Sequence, residues 1–141
     1  MNDDTATRTD QPAAAPAALS IAELPPLEAE LHGGRFAGLV TLPDGTHHAV
    51  VLLAARPDKR LTWKQAMAWA QSAGGRLPSR PIAALLYANA RKTIEPDWYW
   101  TDETNGSSDA WYCYFDLGFQ YYDYRSAEGA AVAVRLIPLA A

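Results

Sequence analysis

The sequence predicts an α+β domain with one irregular, mostly antiparallel sheet and two helices. Three observations carry this. Two apolar runs flank a Pro-Asp-Gly turn at Pro43–Gly45. Two capped helical patterns follow between residues 62 and 92. Short aromatic strands then close the chain, with 11 of the 15 aromatic residues falling between Trp98 and Tyr124. A hairpin, then helices, then strands is the element order of an α+β fold, not of an alternating parallel one.

Residues 1–25 read as a flexible leader, and residues 26–141 as the folded domain. Ala, Pro, Thr and Asp dominate the leader, and Ala13-Ala14-Ala15-Pro16-Ala17-Ala18 is nearly low-complexity. Such a stretch buries too little apolar surface to offset its ordering entropy. Leu19, Ile21, Leu24 and Leu27 are candidates for a short anchoring segment.

Phe36–Leu42 and His47–Ala55 flank Pro43-Asp44-Gly45-Thr46. Pro presets φ and Gly accepts a positive φ, so this is a first hairpin. The unbroken apolar run Val50–Leu53 predicts that its second strand is central in the sheet. Thr62-Trp63-Lys64-Gln65 is a capping box, and its helix ends at Gly74-Gly75. The expected apolar face is Ala66, Trp69, Ala70 and Ala73. A second helix follows Ser79, with Pro81 in its first turn, where a missing N–H costs little. It carries Ala84, Leu85, Tyr87 and Ala88 and frays near Arg91 or Lys92. Trp98–Thr101 reads as a short strand, Asp102–Asp109 as a polar loop, and Ala131–Ile137 as a closing strand.

Between loop and closing strand lies an aromatic hairpin, Ala110–Tyr124. With Gly118 closing a three-residue turn through Asp116 and Leu117, Phe115 faces Phe119, Cys113 faces Tyr121 and Trp111 faces Asp123. Period-two alternation then puts Trp111, Cys113, Phe115, Phe119 and Tyr121 on a core face. Tyr112, Tyr114, Gln120, Tyr122 and Tyr124 share the outer face, beside Asp102 and Asn105 of the loop. Tyr offers a large rigid contact area and a hydroxyl at little entropic cost. Those seven residues are the expected ligand-binding set. Trp69 and Trp111 are the tryptophans expected in the core.

The bulk numbers narrow the function. A net charge of −4 with scattered Lys and Arg gives no electrostatic reason to bind nucleic acid. No apolar run approaches a membrane span, so no membrane insertion is expected. Met1–Asp10 has neither the basic start nor the apolar core of a secretory signal, so cytoplasmic synthesis is expected, with later association with a virion or a cell surface left open. The single cysteine, Cys113, excludes an intrachain disulfide and a multi-cysteine zinc site. His47 and His48 adjoin on a strand and point to opposite faces, so they cannot share a metal locally. Gly74-Gly75 precedes no Gly-Lys-Ser/Thr and is not a phosphate loop. Asp102, Glu103 and Asp109 read as solvated acids. No catalytic residue, metal or cofactor is expected, and the chain reads as a binding module and not as an enzyme.

The segments Arg76-Leu77-Pro78-Ser79-Arg80-Pro81, Trp98-Tyr99-Trp100-Thr101, Ala110-Trp111-Tyr112, Gly118 and Ala133-Val134-Arg135-Leu136 together resemble the Lcl C-terminal domain family over roughly residues 60–138. The resemblance implies a C-type-lectin-like fold and a ligand-binding role, in a family common among phage-encoded and bacterial surface proteins. Related lectin-like families supply the variable proteins of diversity-generating retroelements, whose C-terminal surfaces are rich in Tyr, Asp, Ser and Asn, as residues 102–126 are here. Ile82 departs from the family, which often has a glutamate there to complete a capping box with Ser79. Glu95-Pro96-Asp97 resembles the calcium tripeptide of sugar-binding lectins, but the usual Trp-Asn-Asp partner is absent and calcium needs about six to eight oxygens. The formylglycine-generating enzymes of this general fold use reactive cysteines, whereas Cys113 projects toward the expected core. The implied partner is a cell-surface protein or glycan. The alternative is a structural or decoration subunit whose aromatic face meets another copy of the chain or a virion partner.

Overall fold

The computed structural model describes residues 17–140. The fold is α+β, with two helices and two antiparallel sheets where the sequence suggested one. The four-stranded sheet has the order β1-β2-β3-β7 and the three-stranded sheet the order β4-β5-β6. The strands are β1 Glu30–Leu31, β2 Gly34–Thr41, β3 His47–Leu53, β4 Trp98–Asn105, β5 Asp109–Tyr114, β6 Gln120–Tyr124 and β7 Val134–Pro138. The helices are α1 Trp63–Ser72 and α2 Arg80–Asn89.

The first hairpin forms as its turn chemistry dictates. Gly45 takes φ 85°, and Asp44 Oδ1 accepts from the Thr46 N–H at 3.0 Å. β3 lies between β2 and β7, as its apolar run required. Its side chains alternate between two cores. Ala49, Val51 and Leu53 join Ala66 and Ala70 of α1, while Val50 and Leu52 join Ile82, Ala83 and Leu86 of α2. A strand buried on both faces has no polar side, which is why it reads as a continuous run.

α1 starts at the expected capping box, the Gln65 side chain accepting from the Thr62 N–H at 3.1 Å. Ala66 and Ala70 are buried, whereas Trp69 is only half-buried. α2 starts at Ser79, whose hydroxyl accepts from the Ile82 N–H at 3.3 Å. Its buried face is Ile82, Ala83 and Leu86, and Ala84 and Ala88 are exposed. The helix is rotated from the expected face, because Ile82 is a core residue and not a failed cap. A glutamate there would bury a carboxylate at 1% exposure.

The chain joins the domain ahead of residue 25. Leu19 donates its N–H to the Pro138 carbonyl and accepts from the Ala140 N–H, at 2.9 and 2.7 Å. Leu19 and Leu24 pack on the core, while Ile21 and Leu27 stay exposed. The rest of the expected leader, residues 1–16, lies outside the described residues. Residues 129–134 tie the two sheets together. Gly129 exchanges hydrogen bonds with Leu61, Ala130 with Trp98 and Trp100 of β4, and Val134 with Arg76.

Candidate recognition surface

β4 runs to Asn105, so the expected polar loop shrinks to a turn at Gly106–Ser108. Arg125 braces that turn by donating to the Asp109 and Gly106 carbonyls at 3.0 and 2.8 Å. Within the aromatic hairpin the register differs from expectation by one residue. Tyr112 faces Tyr121, Trp111 faces Tyr122, and Cys113 faces Gln120. The cause is Phe115. It is 1% exposed, lies edge-on to Tyr99 at 5.1 Å, and its N–H bonds to the Asp97 carbonyl at 2.8 Å. Drawn into the core and toward the β4 side, it leaves the β6 ladder and lengthens the turn to four residues. Gly118 closes that turn at φ 85°, donating to the Tyr114 carbonyl at 2.7 Å. It also lies against Tyr87, where a Cβ would come within 2.6 Å of the ring.

A one-residue slip exchanges the faces of a strand. The expected outer set is therefore divided. Tyr112 and Tyr114 lie on one face of the sheet with Tyr121, and Gln120, Tyr122 and Tyr124 lie on the other with Trp111, Asp109 and Asn105. Asp102 belongs to neither array. Burial raises its carboxyl above the usual range, partly offset by Arg76, 3.9 Å away. Gln120 is structural, because it exchanges hydrogen bonds with the Arg80 side chain and carbonyl at 2.9 and 2.8 Å.

On the first face two cross-strand rows form: Trp98 with Tyr114 and its neighbour Phe119, and Trp100 with Tyr112 and Tyr121. The Trp100 end is fully buried and donates Nε1–H to the Leu61 carbonyl at 2.9 Å. The other ends emerge, Phe119 to 45% and Tyr121 to 52% exposure. Trp98 sits 4.9 Å from Tyr112 and also lies against Gly129, where a Cβ would lie 2.4 Å from the ring. The Arg60 guanidinium stands 5.3 Å from the same ring and pairs with Asp97 at 2.5 Å. Burial, with Asp123 adding to it, raises the Tyr112 hydroxyl.

On the second face Arg80 lies flat over Trp111 at 3.6 Å, and Tyr122 meets the Trp111 ring edge-on at 5.2 Å. Trp111, expected in the core, is only half-buried, and Trp100 takes that role. The two faces meet around β6, where Tyr121 and Tyr122 stack at 4.5 Å. Hydrogen bonding with Tyr121 raises the Tyr122 hydroxyl. Trp98 with Tyr112, and Tyr121 with Tyr122 and Trp111, thus make two sets of touching rings, joined through the cross-strand pair Tyr112–Tyr121 into a ring chain that wraps an edge strand.

Sequence reasoning missed Trp98, Phe119, Tyr121, Arg60 and Arg80 as members of this surface. Trp98 and Tyr121 carried a signal in their aromatic neighbours, but their placement hung on the register. The arginines stand 38 and 18 residues before Trp98 in the chain, and only the fold brings them there. Among the described residues no group of three or more His, Cys, Asp or Glu side chains could hold a metal ion. Cys113 is buried and its thiol pKa is pushed up to about 11, which makes it a poor nucleophile. No helix among the described residues is long and apolar enough to cross a membrane. No protein-family model matches the chain, and no curated protein matches it significantly.

Proposed function

We propose that this chain is a non-catalytic recognition domain of C-type-lectin-like type, phage-encoded or surface-associated, that grips a cell-surface protein or glycan. The ring chain around β6 carries the reading. Two touching ring sets, Trp98–Tyr112 and Tyr121–Tyr122–Trp111, joined at the Tyr112–Tyr121 cross-strand pair and with Phe119 and Tyr124 beside them at 45% and 66% exposure, exceed what cross-strand stabilisation requires. The rings are held by a buried Trp100, a seated Trp98 and a clamped Trp111, so little side-chain entropy is left to lose on contact. Tyr hydroxyls at the rim supply directional bonds to a polar partner.

The test is the pair Tyr121→Ser with Tyr122→Ser, assayed on glycan and bacterial-surface arrays. The expected result is an unchanged fold by circular dichroism with binding lost. Binding retained by the folded double variant overturns the proposal.

A second reading, an assembly subunit, rests on a specific observation. β6 is the end strand of its sheet, with no partner on its outer side among the described residues. Tyr114 and Arg125 pair across to Phe119 and Ser108, so alternation turns the backbone groups of Gln120 and Tyr122 outward, while those of Tyr124 are taken by the Asp123 side chain and the Ala127 N–H. Such an edge accepts another strand. Concentration-dependent sedimentation that vanishes with Tyr122→Pro would favour this reading.

A further inference from the structure

Beside the aromatic surface, behind Arg60 and Asp97, lies a cleft of about 500 Å³ between the 54–60 loop and the 93–99 segment. This is within the range of small-molecule sites, roughly 300–1,000 Å³. Three cations line it, Arg56, Lys59 and Arg60, and three carboxylates, Asp58, Glu95 and Asp97. Arg60 and Asp97 satisfy each other at 2.5 Å. Two cations and two carboxylates remain with no ion pair within 4.0 Å among the described residues.

Arg56 is held in place by backbone alone. Its Nη1 donates to the Leu53 and Ala55 carbonyls at 2.7 and 2.9 Å, and its Nη2 to the Thr93 carbonyl at 3.3 Å. A guanidinium has five N–H donors. The Nε–H and one Nη2 N–H of Arg56 are therefore without a protein acceptor among the described residues. These two nitrogens form one edge of the planar fork, the geometry that takes a carboxylate with two parallel bonds. Across the cleft, the Tyr99 hydroxyl donates to the Glu95 carbonyl at 2.9 Å and fixes the backbone that carries the Glu95 carboxylate. Ala54, Ala130 and Ala131 add an apolar part to the lining.

We propose that this cleft binds a small zwitterion, a free α-amino acid, with its carboxylate on Arg56 and its ammonium on Glu95. A simple anion would meet Asp58 and Glu95, and a simple cation would meet Arg56 and Lys59. Only a ligand carrying both charges complements what the cleft leaves unpaired. The site adjoins the aromatic surface and shares Arg60 with it, but its ligand contacts, Arg56 and Glu95, belong to the cleft alone.

The experiment is titration of the full chain, by calorimetry and by NMR shift, with glycine and each standard L-amino acid. The best binder is then compared with its des-carboxy amine and its des-amino acid. The expected result is saturable binding of at least one amino acid, with each singly charged analogue at least about tenfold weaker, a loss of about 1.4 kcal/mol. Glu95→Gln should weaken the amino acid by a similar factor while the melting temperature holds. It should strengthen binding of the anionic des-amino acid, because one repelling carboxylate is gone, a split that a general loss of structure would not produce. Arg56→Lys, which keeps the charge but removes the fork, should weaken both carboxylate ligands. Absence of saturation by any amino acid at about 10 mM, well above a millimolar Kd, overturns the proposal, as does equal affinity for the singly charged analogues.

Discussion

Trp100→Ala and Trp111→Ala should differ sharply in cost, although both rings sit on neighbouring strands of one sheet. Trp100 is 0% exposed, packs edge-on to Trp98 at 5.1 Å, and donates its indole N–H to the Leu61 carbonyl. Truncating a buried Trp costs about 3–5 kcal/mol. The orphaned Leu61 carbonyl adds about 1–3 kcal/mol unless water reaches it. Trp111 is half-buried, and its named contacts are the Arg80 guanidinium and the edge of Tyr122. A partly exposed cation–π contact contributes about 0.5–2 kcal/mol, and an aromatic pair about 0.5–1.5 kcal/mol. Trp111→Ala should therefore cost about 1–3 kcal/mol, and the gap between the two variants should be about 2 kcal/mol or more. Urea unfolding read by far-UV circular dichroism measures it, provided the slopes agree so that midpoints compare directly. Trp100→Phe, which keeps an aromatic ring but not the N–H, isolates the Leu61 bond. If Trp111→Ala proves as costly as Trp100→Ala, Trp111 is core and its half-buried place between Arg80 and Tyr122 is wrong.

Gly129→Ala should destabilise the fold by about 1–3 kcal/mol and change the near-UV spectrum, because its Cβ would lie 2.4 Å from the Trp98 ring; an unchanged spectrum with full stability would mean that the ring is not seated there. Burial raises the Cys113 thiol from 9.0 to about 11, so the unfolded chain loses that proton first. The stability this contributes is complete below pH 9 and is lost as pH climbs to about 11, at no more than about 1.4 kcal/mol per pH unit; Cys113→Ala should flatten that part of the stability profile, and an equal slope in both proteins would refute the burial argument. Arg80→Ala should loosen Trp111 and Gln120 together, giving a red-shifted, more quenchable Trp fluorescence with the fold retained.

Local chemistry was legible in the sequence where it was decided locally. The Thr62 cap, the Pro-Asp-Gly turn and the apolar run of β3 involve residues a few positions apart, and each element begins where those residues place it. The face of α2 was not legible, because periodicity treats Ala84 and Ala88 as apolar. A small side chain is equally at home on a surface, and the larger Ile82 and Leu86 decide which side turns inward. The number of sheets was not legible either. Outside its own sheet β4 bonds to Ala130 and not to the four-stranded sheet, a pairing set by contacts some 30 residues apart.

The hairpin shows how one core residue governs a surface. Gly118 alone fits a three-residue turn, and that turn keeps Phe115 in the ladder opposite Phe119. Leaving it there would forgo the Tyr99 and Tyr87 contacts, at 5.1 and 6.1 Å, and the burial of a whole phenylalanine. Full burial of such a side chain is worth about 1.5–3 kcal/mol, more than a single cross-strand pair at about 0.2–1 kcal/mol. The core therefore takes Phe115, the turn gains a residue, and β6 slips by one. Tyr121 then surfaces beside Tyr112, and Tyr122 goes to Trp111, so rings expected on a single flat face meet around the strand edge. Phe115→Ser should relieve that commitment, and the three-residue turn becomes competitive. NMR cross-strand contacts between Cys113 and Tyr121 should then appear at the expense of those between Cys113 and Gln120. A Phe115→Ser protein that stays folded with only the Cys113–Gln120 pairing would show that something other than Phe115 burial sets the register.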